Sequence, residues 1–420
     1  MRISLILLLL TPFLVIGCSI SNSQTKPRPE LRVEHSIYDP TLHQKQIAGL
    51  LQGVKNDPQS ALSYGQLATA YLMRYAETGD LQSALNAEQA ARCSLQIRTK
   101  RNDVSLLALV KSLVAQHRFS DALPFAQQLL KRNPKDSSAQ LFLAEIYFER
   151  GDYSKAEEIW NSRDSSGVSP YSKAFESRLQ WLHGEPDKSL QAIKAALEQA
   201  ENEQATSSEA LAWFYNKTGE RYESVGKSVE AEQCYHNALK SFPRDFRSLS
   251  GLARLCLARG EWEQALKWAQ DSATIVPAPE ALGMIGDAQY HLGNRAAANK
   301  YYALIDSISR LAKSKGDTYD RQRSLFLADH DRHLAEALEM AQSEMKVRHD
   351  IYAYDTLAWT LFKAGRLVEA QKAVQSALAY GTKDNKLLYH ASQIEERLHN
   401  TAKAAEYRTH MTQTSSGRRI

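Results

Sequence analysis

The chain has 420 residues, long enough for a large core or several domains, and its 52 basic and 48 acidic side chains nearly cancel to a net charge of +4. No basic run stands out, so the charge belongs to a solvated mixed surface rather than to a nucleic-acid site.

The first element is a greasy run, Ile3 to Ile16, behind Arg2 and interrupted by Ser4, Thr11 and Pro12. A bilayer-spanning helix needs about 20 apolar residues, so the run is too short to span. A charged start, a short apolar core and a small residue at its end describe a secretory signal peptide. The end, Val15-Ile16-Gly17-Cys18, resembles the bacterial lipobox. That resemblance implies a lipid on the Cys18 thiol, cleavage between Gly17 and Cys18, and a signal peptide over residues 1–17. Cysteine suits this chemistry as the best nucleophile available. The alternative is a non-lipidated signal peptide with an incidental cysteine. Ser19, where inner-membrane lipoproteins carry aspartate, resembles outer-membrane sorting. The expected location is therefore the cell envelope, lipid-anchored at the outer membrane and facing the periplasm, or the outer face where there is one membrane. With Cys18 lipidated, three cysteines remain, and an odd number argues against a disulfide framework. Cys234 and Cys256 fit either one bridge or two small core residues.

Residues 18–40 follow as the lipidated cysteine and a polar stretch with three prolines. They cannot bury much and are expected to form a flexible tether with a mean reach of about 25 Å.

Everything after the tether repeats. "YGQLATAY", "LLALVKSL", "QLFLAEIY", "YNKTGERY", "LSGLARLC", "LGMIGDAQ" and "YDTLAWTL" each place large residues at helical spacing around a small one. The phase markers are Ala68, Val110, Ala144, Gly219, Ala253, Gly286 and Ala358, with weaker copies at Ser177, Leu325 and Ser392. A second helix follows each first one after a turn glycine (Gly151, Gly184, Gly226, Gly260, Gly293, Gly365), with pairs such as Ala231 and Tyr235 or Ala298 and Tyr302. Pro134, Pro243 and Pro277 close units, since proline cannot donate the amide hydrogen that continues a helix.

This pattern resembles the tetratricopeptide repeat, most completely at Tyr215, Thr218, Gly219, Tyr222, Ala231, Tyr235, Ala238 and Pro243. The resemblance implies an all-α, right-handed solenoid of stacked helix-turn-helix units. About ten units, degenerate ones included, fill Asp57 to Met411. The expected divisions are an N-terminal array over 41–160, a degenerate repeat with Ser-rich loops over 161–210, a C-terminal array over 211–411, and a disordered tail over 412–420. Extra residues around "MRYAETGD" are expected to lengthen the first inter-helix turn. The Ser-rich breaks read either as a hinge or as two long loops, and the second ends in Thr206-Ser207-Ser208-Glu209, a capping box.

Catalytic motifs are scarce: there is no H-E-x-x-H, G-x-S-x-G, P-loop or Rossmann fingerprint. No catalytic residue, metal or cofactor is assigned. The one alternative is "ADHDRH", where His330 and His333 with Asp329 and Asp331 form either a metal site or a polar turn. Recognition remains. The resemblance implies a concave groove lined by the first helix of each pair. Carried over place by place, its residues are Trp213, Asn216, Arg247, Arg254, Asp287, Tyr290, Tyr319, Phe326, Tyr352, Asp355, Trp359, Phe362 and Lys363. Exposed aromatics and arginines are the usual anchors of partner binding. Trp359 fits groove or core equally, because Leu357, Ala358 and Leu361 already supply a core stripe. The expected function is a non-enzymatic, membrane-anchored scaffold for another envelope protein or peptide, within a secretion, pilus or polysaccharide assembly system. A metal-dependent factor centred on Asp329–His333 is the alternative. The reading implies no nucleic-acid partner and leaves the oligomeric state open.

Overall fold

A computed structural model describes residue 39 and residues 41–163, 168–314 and 321–411. All regular structure among them is helical. A leading helix, α1 (Leu42–Asn56), precedes ten helix pairs. They are α2 (Ala61–Thr78) with α3 (Leu81–Ile97), α4 (Asp103–Ala115) with α5 (Phe119–Arg132), α6 (Ser137–Arg150) with α7 (Tyr153–Asn161), and α8 (Pro170–Leu182) with α9 (Pro186–Asn202). Next come α10 (Ser208–Ser224) with α11 (Ser228–Ser241), α12 (Phe246–Arg259) with α13 (Trp262–Ile275), and α14 (Pro279–His291) with α15 (Arg295–Ser314). The last are α16 (Arg321–Asp329) with α17 (Leu334–Glu344), α18 (Ile351–Lys363) with α19 (Leu367–Ala377), and α20 (Asn385–Arg397) with α21 (Thr401–His410).

Short side chains start many of these helices and a left-handed residue ends the first of each pair. Asp136 accepts from the amides of Ser138 and Ala139, and Asp350 from those of Tyr352 and Ala353. The turn inside most pairs needs one residue at positive φ. Glycine supplies it at 79, 151, 184, 226, 260, 293 and 365, and His117, Asp331 and His399 supply it elsewhere.

Second helices pack on their own first helix and, in most pairs, along the next one, so no pair buries its apolar stripe alone. The phase markers explain the close approach. Ala68, Val110, Ala144, Ala253 and Ala358 are fully buried. At Gly286 an added Cβ would lie 2.1 Å from Tyr302 Cε1, and at Gly219 2.7 Å from Tyr235 Cε1. The rings lie against the glycines, which is why each tyrosine four places after a buried alanine faces a small residue across the pair.

Three details differ from the sequence reading. The extra residues of the first pair do not lengthen its turn. They extend α2 to eighteen residues, which then stops at Gly79 with Asp80 already capping α3. In the weak pair α16/α17 the small buried marker is Ser324, whose hydroxyl donates to the Ala337 carbonyl, and Leu325 is half-buried. At α10 the cap is Ser207, which accepts from the Ala210 amide, so Thr206 lies one residue before the cap. The degenerate stretch from Tyr171 to Ala200 is an ordinary pair, α8/α9. Cys93, Cys234 and Cys256 are free thiols, the last two buried.

The array coils back on itself. The turn inside the third pair meets the junction between the eighth and ninth: the His349 amide donates to the Arg150 carbonyl at 2.7 Å, and the Ile351 amide to Tyr153 Oη at 2.9 Å. The turn inside the fourth pair meets the junction between the ninth and tenth, where Gly184 abuts Gly381. The turn inside the first pair, at Gly79, meets Val276 at the junction between the sixth and seventh and Phe246 at the start of the sixth. The contacts at Gly151 and Gly184 share one register, so one superhelical turn there spans between five and six pairs. Successive turns touch edge to edge, and Phe148, Tyr153 and Phe175 share one buried cluster with Ile351, Ala377 and Leu387.

Candidate functional site

The first helices touch along one face: α10 with α12, α12 with α14, α14 with α16, α16 with α18, and α18 with α20. On that face polar residues bond to the adjacent first helix. Asn216 Nδ2 donates to Ser248 Oγ at 3.2 Å, and the Arg254 guanidinium holds both oxygens of Glu223 at 2.7 and 2.9 Å. Asp287 Oδ1 is 2.7 Å from His330 Nε2, and Asp355 Oδ1 2.8 Å from His390 Nδ1. The result is a ladder that locks adjacent units in register.

The residues expected to line a groove therefore divide. Tyr290 and Tyr352 are exposed, 50% and 37% respectively. Arg254 is half-buried and also reaches Glu280 at 2.8 Å. Arg247 lies over the Phe246 ring and pairs weakly with Asp245 at 3.6 Å. Trp213 is half-buried against Tyr171 and Phe214. Asn216, Asp287 and Asp355 are buried rungs of the ladder. Phe326 is buried against Tyr302 and His330.

Trp359 is only 6% exposed. Its indole lies between Phe362 and His390, with ring centroids 5.0 and 4.1 Å away, and Nε1 donates to Asp329 Oδ1 at 2.7 Å. That places it in the core alternative rather than free for a partner, because three neighbouring units close around it. Lys363 lies over the same indole and pairs with Asp331 at 2.8 Å. Tyr319, Gly17 and Cys18 lie outside the described residues.

"ADHDRH" is a structural knot. Asp329 holds Trp359, Asp331 holds Lys363, and both His330 ring nitrogens are engaged, Nδ1 with the Phe326 carbonyl at 2.8 Å and Nε2 with Asp287. Burial opposes protonation of His330, but Asp287 outweighs it and raises the pKa. His333 is exposed and 4.0 Å from Asp306. The two histidines thus serve different partners. Among the described residues no group of three or more His, Cys, Asp or Glu converges as a metal site.

The sequence reading missed a second polar cluster, built by α6 and α8 against the loop before α18. Glu149 accepts from Arg178 at 2.5 Å and from Arg348 at 2.7 Å. Arg348 also donates to Asp350, which pairs with Arg321, and Arg321 reaches Glu344. Burial would raise the Glu149 pKa, but Arg178 and Arg348 pull it down to about 2. Glu145, one turn back, feels burial most and is pushed up to about 7. A signal for this cluster existed. Glu145 and Arg178 each follow a phase marker by one residue, as Arg254, Asp287 and Trp359 do. Beside the cluster a cavity of about 210 Å³ is lined by Arg321, Leu325, Tyr352, Asp355, Asp384 and Lys386, among others.

No described helix is long and apolar enough to cross a membrane. Residues 107–167 and 216–278 match the tetratricopeptide repeat family profile. No curated protein matches. Among solved structures the chain is similar to a chain in the crystal structure of the APC/C hetero-tetramer Cut9-Hcn1, at 12% identity, with 88% of this chain and 91% of that chain covered and a TM-score of 0.34. Tetratricopeptide repeats bind protein partners and are typically non-enzymatic. The chain is thus an all-α solenoid carrying tetratricopeptide repeats.

Proposed function

We propose that the protein is a membrane-anchored, non-enzymatic scaffold that holds an envelope protein or an extended peptide, tethered by lipid on Cys18. The observation that carries the binding half is the ladder of first helices. Its polar rungs are bonded to one another, so the layer is rigid before a partner arrives, and preorganisation lowers the cost of binding. Tyr290 and Tyr352 stand exposed on that layer and Arg254 lies half-exposed beside them, the residue types that anchor interfaces. The lipobox-like Val15–Cys18 supports the anchor, and Ser19 the outer-membrane destination. Assembly of a secretion, pilus or polysaccharide system is the setting such a scaffold fits.

A photo-crosslinking residue at Tyr290 or Tyr352, in cells, tests the surface. The expected result is one dominant envelope protein, captured less by an Arg254→Ala background. Capture only from labels on second helices would place the partner on the outer layer and refute the proposal. For the anchor, Cys18→Ser is expected to leave a larger, uncleaved precursor without fatty-acid label. Normal processing of that variant, with no label on the wild type, would remove the lipoprotein reading.

A further inference from the structure

We propose that the seam between successive superhelical turns is a latch, opening as a unit while the helix pairs on either side stay folded. The seam joins the turns at 149–153 and 183–184 and the end of α10 to the loops at 348–351 and 380–385. Its bonds are few and lie at element ends. They are the His349 and Ile351 amides on Arg150 and Tyr153, Arg348 on Glu149, and Asn385 Nδ2 on the Ser224 carbonyl at 3.5 Å. Tyr153 also meets Tyr380 edge-on with centroids 4.7 Å apart. Within each turn, by contrast, most helices pack along both of their chain neighbours, whereas the apolar part of the seam is Ile351, Ala377 and Leu387 set against residues of α6, α7 and α8. Regions held by fewer buried contacts open below the cost of global unfolding. Opening would uncover Tyr153 and Arg348, which the seam now buries.

Glycine usage separates the seam from ordinary turn chemistry. Gly151, Gly184, Gly293 and Gly365 hold the same place in four pairs and all have positive φ. At Gly293 and Gly365 an added Cβ meets nothing within 4 Å. At Gly151 it would lie 2.3 Å from the His349 carbonyl carbon, and at Gly184 2.0 Å from the Gly381 oxygen. Both obstacles are backbone of the next superhelical turn. Asparagine tolerates positive φ, so Gly→Asn at all four places carries similar turn strain, and only at 151 and 184 does it also wedge the seam.

The test is residue-resolved amide hydrogen exchange on the full chain. In the wild type, the His349 and Ile351 amides are expected to exchange at least tenfold faster than interior amides of α6 and α18. Gly151→Asn and Gly184→Asn should each speed them at least a further tenfold with α18 interior rates unchanged, whereas Gly293→Asn and Gly365→Asn should leave them at the wild-type rate. Tyr153→Phe, which keeps the ring and cannot unfold a pair, should speed Ile351 and spare the interior. The latch is overturned if seam and interior amides exchange together in the wild type. It is also overturned if the 293 and 365 variants loosen the seam as much as the other two. Neither outcome depends on a partner, so failure of the latch and failure of the scaffold reading are distinguishable.

Discussion

Trp359→Ala is the sharpest check on how the late pairs are packed. A buried tryptophan removes about 150–250 Å² from water, which at about 25 cal/mol per Å² is roughly 4–6 kcal/mol. Compactness of the unfolded chain trims that sum by about 10–40%, leaving about 3–5 kcal/mol, the usual range for Trp→Ala in a core. The bond to Asp329 adds little, since that carboxylate is 41% exposed and water replaces the indole. Trp359→Phe keeps a ring between Phe362 and His390 and is expected to cost only about 1–2 kcal/mol. Repeat arrays need not unfold in one step. Urea titration should therefore be followed both by circular dichroism and by hydrogen exchange in α16 to α20, where the loss should concentrate. An alanine variant with an unchanged midpoint and weakened partner binding would refute the core placement.

Gly286→Ala drives a Cβ to 2.1 Å from Tyr302 and should lose about 1–3 kcal/mol despite alanine's better helix propensity, while Gly283→Ala, 3.2 Å from Phe326, should be milder; equal melting temperatures would show the ring contact is wrong. Gly219→Trp, against Tyr235, should destabilise by a few kcal/mol in the same assay. Burial makes Glu145 hold its proton to about pH 7 in the fold but only to about 4.5 when unfolded, so its contribution to stability falls as pH rises through that window. Glu145→Gln should remove that part of the slope in urea titrations at pH 4.5 and 7.5, and an unchanged slope would exclude Glu145 as its source. His330→Ala should destabilise by about 1–3 kcal/mol, equally with and without chelator. Because the folded His330 pKa is raised, the deficit should be greatest below the ordinary histidine range and shrink as pH rises through the folded value. Stoichiometric zinc in the wild type, lost in this variant, would restore the metal reading of Asp329–His333.

The pairs were legible because their determinants are local in the chain. A small residue near the centre of most first helices, a buried alanine on most second ones, and a left-handed turn residue between them recur where the structure places the helices. Even Ser177 and Ser392, weak as signals, are buried at that same place. Local pattern failed where two assignments fit it equally, as at Leu325 against Ser324, or where extra residues could lengthen either a turn or a helix, as at α2. Phase alone put Arg254, Asp287 and Asp355 on the face where first helices meet, but phase cannot say whether a polar residue meets solvent or its counterpart one unit on. Glu223, His330 and His390 answer that only once the helices stack. The seam lay beyond any reading of period. It joins residues 199 and 198 positions apart, Glu149 to Arg348 and Tyr153 to Ile351. A repeat pattern specifies each neighbour contact, but superhelical pitch is the sum of many small rotations between units. Whether those rotations bring Gly184 against Gly381, and so close the coil, is decided only in three dimensions.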